Sequence, residues 1–181
     1  MFPNRSDSHM LETSRLILRP WTMLDLQSFH AICQKSEVMK YIDNPWNSER
    51  VREFIRNEQQ QFKQLGHCRW ALELKTLNRL IGFCGFRPLQ DDDRQLEIGW
   101  RLDSDYWQQG LGFEAAELVI NDALQNLSPT RLFAKIHVHN QASLALAKKL
   151  GFEITKRIPV AEFDDFLLDY PLIANQEIKS C

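Results

Sequence analysis

Between residues 96 and 103 the side chains alternate, with Leu96, Ile98, Trp100 and Leu102 set against Glu97, Gly99, Arg101 and Asp103. A period of two puts the two sets on opposite faces of a strand. Two strand-like runs precede it, "RWALELK" and "LIGFCGFRPL", joined by the turn-like "TLNR" and the acidic "QDDDR". Connections this short predict an antiparallel meander. Ahead of the meander, "RLILRPW" reads as a strand ending at Pro20. Thr22 with Asp25 three positions on then opens a helix whose apolar face is Leu26, Phe29, Ile32 and Cys33. "DNPWN" breaks the chain, and Ser48 opens a second helix with Val51, Phe54, Ile55, Phe62 and Leu65 on one side and Gly66 at its end.

After the third strand the period changes. Ala115, Leu118, Val119 and Ala123 recur at helical spacing until "SPT" stops them, and "RLFAKIHV" returns to a strand. Asn140 caps the next helix, which ends in Lys148 and Lys149 beside its negative pole, with Gly151 just past it. "FEITKRI" and "DFLLDYPLI" supply the last strands. The sum predicts an α+β fold: a mixed, largely antiparallel central sheet flanked by helices, with one strand–helix–strand crossover. Residues 1–10 read as an extension, 11–174 as a single domain and 175–181 as a short tail.

Composition excludes several functions. With 22 Lys and Arg against 24 Asp and Glu, the 181-residue chain has a formal charge of -2, which does not suit a nucleic-acid binder. Cys33, Cys68, Cys84 and Cys181 lie too far apart for a zinc cage or a disulfide framework. They predict free thiols in a reducing compartment. Without a signal-peptide core or a run of about 20 apolar residues, the expectation is a cytoplasmic protein off the membrane.

The candidate chemistry starts at "YWQQGLGFEAA", residues 106–116, where Gly110 and Gly112 precede a helix. Gly110, Gly112 and Ala115 satisfy a dinucleotide fingerprint, but the preceding strand alternates and "TRLFAKIHVHN" lacks the acidic residue that would hold a ribose. A P-loop fails because no Lys-Ser or Lys-Thr pair follows. What remains is a turn of exposed amides at a helix start, which favours an anion, against the plainer reading of a tight turn.

Three segments in order carry a resemblance: "LETSRLILRPW", "LEIGWRLDSDYWQQGLGFEAA" and "NQASLALAKKLGFE". Together they resemble the GNAT acyltransferase superfamily, closest in look to its Rim-type N-terminal acetyltransferases. The resemblance covers most of the chain and implies acetyl-CoA as cosubstrate. Its diphosphate would lie on the amides of Gln108, Gln109, Gly110, Leu111, Gly112 and Phe113. The pantetheine arm would pair with the backbone of Trp100, Arg101 and Leu102, and Asn140 and Ser143 would position that arm. Trp107 stands where the family's pattern has a polar residue, and Gln108 replaces a frequent glycine. Trp100 and Leu102 also read as core residues, and Asn140 and Ser143 as a plain helix cap.

Acetyl transfer needs an uncharged amine, so a base must take its proton. Glu97 is the candidate, directly or through water, with a solvated pair to Arg101 as the alternative. A main-chain amide near Trp100 can meet the oxyanion. The family's tyrosine acid is absent, since Ala147 holds its position, and Ser143 is the substitute. Cys84 has no histidine and carboxylate beside it, so no covalent step through it is expected. His137 and His139 read as polar residues at the cleft mouth, and no metal site is predicted. The acceptor is an amine, a protein N-terminus or a small molecule, met by "SEVMKYIDNPWNS" and "PVAEFDD". There Asp43, Glu162, Asp164 and Asp165 would attract a cation. A non-catalytic acyl-CoA sensing module is the competing class, and the sequence leaves monomer or homodimer open.

Overall fold

The computed structural model describes residues 9–159 and 164–172. Residues 1–8 of the extension predicted at 1–10, Glu162 and the tail at 175–181 with Cys181 lie outside them. The described strands are β1 (Leu11–Glu12), β2 (Leu16–Arg19), β3 (Arg69–Leu74), β4 (Arg79–Leu89), β5 (Asp92–Leu102), β6 (Arg131–His137), β7 (Glu153–Pro159) and β8 (Asp164–Asp169). They form one sheet in the order β1-β2-β3-β4-β5-β6-β8-β7. Every adjacent pair is antiparallel except β5 and β6. That parallel pair is the predicted crossover, closed by α4 (Leu111–Asn126).

The opening strand is a hairpin rather than a single run. The Thr13 hydroxyl accepts from the Leu16 amide at 2.9 Å and turns the chain between β1 and β2. The helix expected at Thr22 starts as a 3-10 turn, Met23–Asp25, before α1 (Leu26–Gln34). Asp25 accepts from the Thr22 amide at 2.8 Å and also takes both amino groups of Arg19, at 2.9 and 2.8 Å, which ties the turn to β2. A four-residue helix, α2 (Ser36–Met39), is too short to show a period and was not predicted. α3 (Ser48–Leu65) begins at the expected residue; its cap is Asn47, whose side chain accepts from the Arg50 amide at 2.9 Å. Asp92, Asp93 and Arg94, read as connection, belong to β5, because Asp92 satisfies the Arg94 amide and the Gln95 side chain.

Helices cover both faces of the sheet. On one face, α4 and α5 (Gln141–Lys149) bury Leu111, Val119 and Leu144 against Leu18, Leu96 and Leu132. On the other, α1, α2 and α3 bury Phe29, Ile32, Met39, Phe54 and Ile55 against Ala71 and Phe83. Each large apolar side chain removed from water in this way contributes about 1.5–3 kcal/mol.

β5 and β6 do not stay together. Their pairing spans only Gln95–Glu97 against Arg131–Phe133, after which β6 continues on β8 alone while β5 continues on β4. The sheet therefore opens into a V between Ile98–Leu102 and Ala134–His137, and α4 starts beside its mouth.

Candidate functional site

The inner edge of the V on β5 is made of main-chain groups. Asp103 N–H donates to the Ile81 carbonyl at 2.8 Å, so in the antiparallel alternation the amides and carbonyls of Trp100 and Leu102 turn away from β4 and into the gap. The Trp107 indole N–H takes the Leu102 carbonyl at 2.9 Å. That bond gives the residue which departs from the family's polar pattern a role: it ties the glycine turn to the end of β5. Arg101, between Trp100 and Leu102, does not offer the arm the main-chain partner expected of it: its amide and carbonyl face Phe83 on β4, and its side chain leaves by the opposite face.

The turn after β5 offers main-chain donors of the kind an anion can take. Gln108 has φ 59° and Gly110 φ 78°, and such left-handed residues turn successive N–H groups to one side. The amides of Leu111, Gly112 and Phe113, in the first turn of α4, have no intrahelical acceptor. Gln109 joins the turn from within, its side chain donating to the Asp105 carbonyl at 3.2 Å. Two braces hold the turn. Arg15 donates to the Gln109 carbonyl at 2.9 Å and to Glu114 at 2.7 Å, and Thr13 also binds Glu114. Burial alone would raise the Glu114 carboxyl, but the hydrogen bonds from Thr13 and Arg15 outweigh it and hold the group below its ordinary range. From the other side Lys35 binds Asp103 and reaches Asp105 at 2.8 Å, bonds that raise its pKa. Neither brace was legible in the sequence, since Arg15 is 99 residues from Glu114 and Lys35 is 68 from Asp103.

The arm of the V opposite β5 carries Asn140 and Ser143. Asn140 caps α5 by accepting from the Ser143 amide at 3.1 Å, and the Ser143 hydroxyl accepts from the Trp100 indole at 3.2 Å. The two segments named in the sequence thus meet. The hydroxyl of Ser143 keeps its own proton to donate. Gly112 faces the same place: a Cβ there would stand 3.4 Å from Leu146 and 3.9 Å from Leu102, so the folded chain alone does not demand glycine at this position. Ala147 is fully buried among the residues under α4 and α5.

On the other face of β5, Glu97 pairs with Arg87 at 2.9 Å and lies 3.9 Å from Lys135, both through Oε2. The alternative pairing with Arg101 is corrected, because Arg101 points to Cys33 and the Trp46 ring instead. Arg87 is directly opposite Glu97 in the register, a cross-strand neighbour that reading along one strand cannot reveal. The Tyr41 ring, just past α2, lies tilted 5.1 Å from His137, which lies 5.5 Å from His139. Among the described residues no group of three His, Cys, Asp or Glu stands together to hold a metal. Of the acidic residues expected to attract the acceptor, Asp43 pairs with Arg50 at 2.6 Å and Asp164 with Arg157, while Asp165 lies opposite His137 in the β6–β8 register. Cys33, Cys68 and Cys84 are free and buried, and burial pushes all three thiols up, away from nucleophile chemistry.

Comparison with known proteins agrees with this geometry. Residues 15–153 match the family model described as acetyltransferase (GNAT) domain. The chain is 30% identical over 155 residues to an uncharacterized N-acetyltransferase, YoaA of Bacillus subtilis, covering 84% of each. It superimposes with TM-score 0.79 and 18% identity on a Salmonella typhimurium acetyl transferase that modifies the N-terminal serine of ribosomal protein L7/L12, covering 91% of this chain and 100% of that one. A RimL ribosomal L7/L12 N-acetyltransferase in complex with coenzyme A superimposes with TM-score 0.78 at 18% identity, covering 89% and 97%.

Proposed function

The chain belongs to the GNAT acetyltransferase family and moves an acetyl group from acetyl-CoA to an amine; from that premise we propose which of its residues do so. The observation that carries the assignment is the opening of β5 from β6 beside a left-handed turn at the head of α4. The donor set suits the cosubstrate. The amides of Gln108, Gln109, Gly110, Leu111, Gly112 and Phe113 take the diphosphate, charge-assisted bonds reinforced by the helix dipole. The outward-facing main chain of Trp100 and Leu102 gives the pantetheine arm a strand edge. Asn140 fixes the head of α5, and Ser143, held against Trp100, closes the arm's far side.

Transfer then follows in a ternary complex. Glu97, with Oε1 not engaged by Arg87 or Lys135, accepts the amine proton through water. The Trp100 amide faces the carbonyl oxygen as negative charge grows on it. Ser143 donates its proton to the departing thiolate, the position of Ala147 being sealed in the core. The acceptor is a peptide N-terminus or a small amine, approaching from the α1–α3 face. Residues 11–174 act as one domain, supported by the single sheet running through the described part. A cytoplasmic setting is supported by the three free thiols and by the lack, among the described residues, of a helix long and apolar enough to cross a membrane.

The test is coenzyme A release from acetyl-CoA over a panel of amines, with calorimetric titration of coenzyme A alongside. Glu97→Gln is expected to lower kcat by about 10²-fold while coenzyme A affinity stays within about twofold, because general-base catalysis is worth about that much. An unchanged kcat would remove Glu97 from the mechanism. Failure of the wild type to bind coenzyme A would remove the site itself.

A further inference from the structure

Resting on that acetyltransferase reading, we propose that Arg101 and Trp46 recognise a carboxylate on the acceptor, so that the preferred substrate is an amine that also carries a carboxylate. The observation is a buried cation that no carboxylate among the described residues contacts, Asp43 acting on it only at a distance. Arg101 is only 6% exposed. Its Nη1 donates to Cys33 Sγ at 3.3 Å, a weak acceptor. Its Nε has no hydrogen-bond partner among the described residues, and no carboxylate there forms an ion pair with it. The guanidinium lies 4.2 Å from the Trp46 ring, 5.5 Å from Phe83 and 5.8 Å from Phe29. Those rings offset part of the cost of desolvating the cation but offer it no oxygen. Burial, with Arg69 and Arg50 nearby, accordingly depresses the Arg101 pKa against the opposing pull of Cys33.

The second donor is next to the first. Trp46 Nε1 is also buried and also lacks an acceptor among the described residues. With Nη1 turned to Cys33, the edge of Arg101 left to a ligand is the one formed by Nε and Nη2, and a planar fork of that kind matches the two oxygens of a carboxylate. Flat aromatic walls favour a planar anion over a tetrahedral phosphate.

Neighbouring carboxylates do not fill the role. Asp43 is held by Arg50, whose guanidinium stands 4.7 Å from the Trp46 ring, and Glu58 binds Arg69 through both the Nε at 2.8 Å and the adjoining Nη2. Among the described residues, the Arg50 and Arg69 guanidiniums have carboxylate contacts, and Arg101, the one without, is the one with the orphan donor.

Position links the subsite to the reaction. Arg101 follows Trp100, whose main chain faces the V. Between Arg101 and Glu97 on the same face lies Gly99, which puts no side chain on the strip joining them. A Cβ at Gly99 would make only ordinary contacts, 3.7 Å to Phe83 and 3.8 Å to Arg69, so packing alone does not impose the glycine. An acceptor lying on this strip has its amine toward Glu97 and its carboxylate toward Arg101.

Thiol release is measured with matched acceptors: L-amino acids against their carboxamides, and peptides starting with Asp or Glu against those starting with Asn or Gln. The wild type is expected to prefer the carboxylate member of at least one pair by about tenfold or more in kcat/KM, expressed mainly in KM, as a charge-assisted hydrogen bond supports. Arg101→Met is expected to abolish the ratio and Arg101→Lys to restore only part of it. Trp46→Phe keeps the ring, removes the donor and should lower the ratio severalfold, which keeps the test sound if Arg101→Met does not fold. Equal rates for both members of every pair, or variants that slow both members alike, overturn the proposal while coenzyme A binding and turnover leave the acetyltransferase reading intact. Loss of coenzyme A binding by the wild type removes both.

Discussion

Gly110 concentrates the argument at the scale of a residue. Its φ of 78° is a conformation an L side chain adopts at a cost of about 1–2 kcal/mol, whereas a Cβ there would meet only Arg15 Nη2, at 3.6 Å. The penalty of Gly110→Ala is thus in the backbone rather than in packing. The variant is expected to lose about 1 kcal/mol of stability in urea unfolding and to bind coenzyme A at least about fivefold more weakly, because relaxing the strain turns the amides from the diphosphate. Unchanged affinity with reduced stability would make the residue a turn former only. Sequence spacing picked out this glycine, but a motif of two glycines does not say whether its amides converge. The positive φ of Gln108 and the hold of Arg15 and Trp107, which fix the turn's conformation, come only from the structure.

At the scale of elements, the join between β2 and α1 depends on Asp25 and Arg19. Burial would raise the Asp25 carboxyl, but the Arg19 hydrogen bonds and the Thr22 amide outweigh it and leave the group below its ordinary value. A carboxyl depressed in the folded state contributes stability above its unfolded pKa of about 3.9 and loses it as pH falls through the lower folded value. Asp169 beside Arg131 and Glu114 beside Arg15 are depressed as well. Stability in urea is therefore expected to be flat from neutral pH to about 5 and to fall below about 4. Asp25→Asn should cost about 2 kcal/mol at neutral pH and make the acid decline shallower; an equally steep decline would mean that other carboxyls govern it. Thr22 and Asp25 were legible as a helix start from their spacing. Their partner Arg19 was not, because a side chain that reaches from a strand to a following turn leaves no periodic trace.

For the molecule as a whole, the decisive feature is that the sheet parts between β5 and β6. The amides of Trp100 and Leu102 face the gap, so their hydrogen exchange is expected to be faster than that of Ile81, Phe83 and Gly85 on β4. Saturating coenzyme A should slow it by about tenfold or more; no protection on binding would place the pantetheine arm elsewhere. What the sequence determined by itself was local: the alternation of Leu96 to Asp103, the helical spacing from Ala115 to Ala123, the cap at Asn140 and the glycine turn. These follow from periods of two and 3.6 and from backbone conformations that few residues adopt, all properties of neighbours along the chain. Tertiary structure decided what distant segments do to one another: β8 inserting between β6 and β7, Arg15 and Lys35 clamping the turn, Glu97 pairing across to Arg87, and Arg101 enclosed by Trp46, Phe29 and Phe83 without a carboxylate. Pairings of that kind depend on register and on which elements lie side by side, and a charge on a strand carries no mark of the partner it will meet, or of having none.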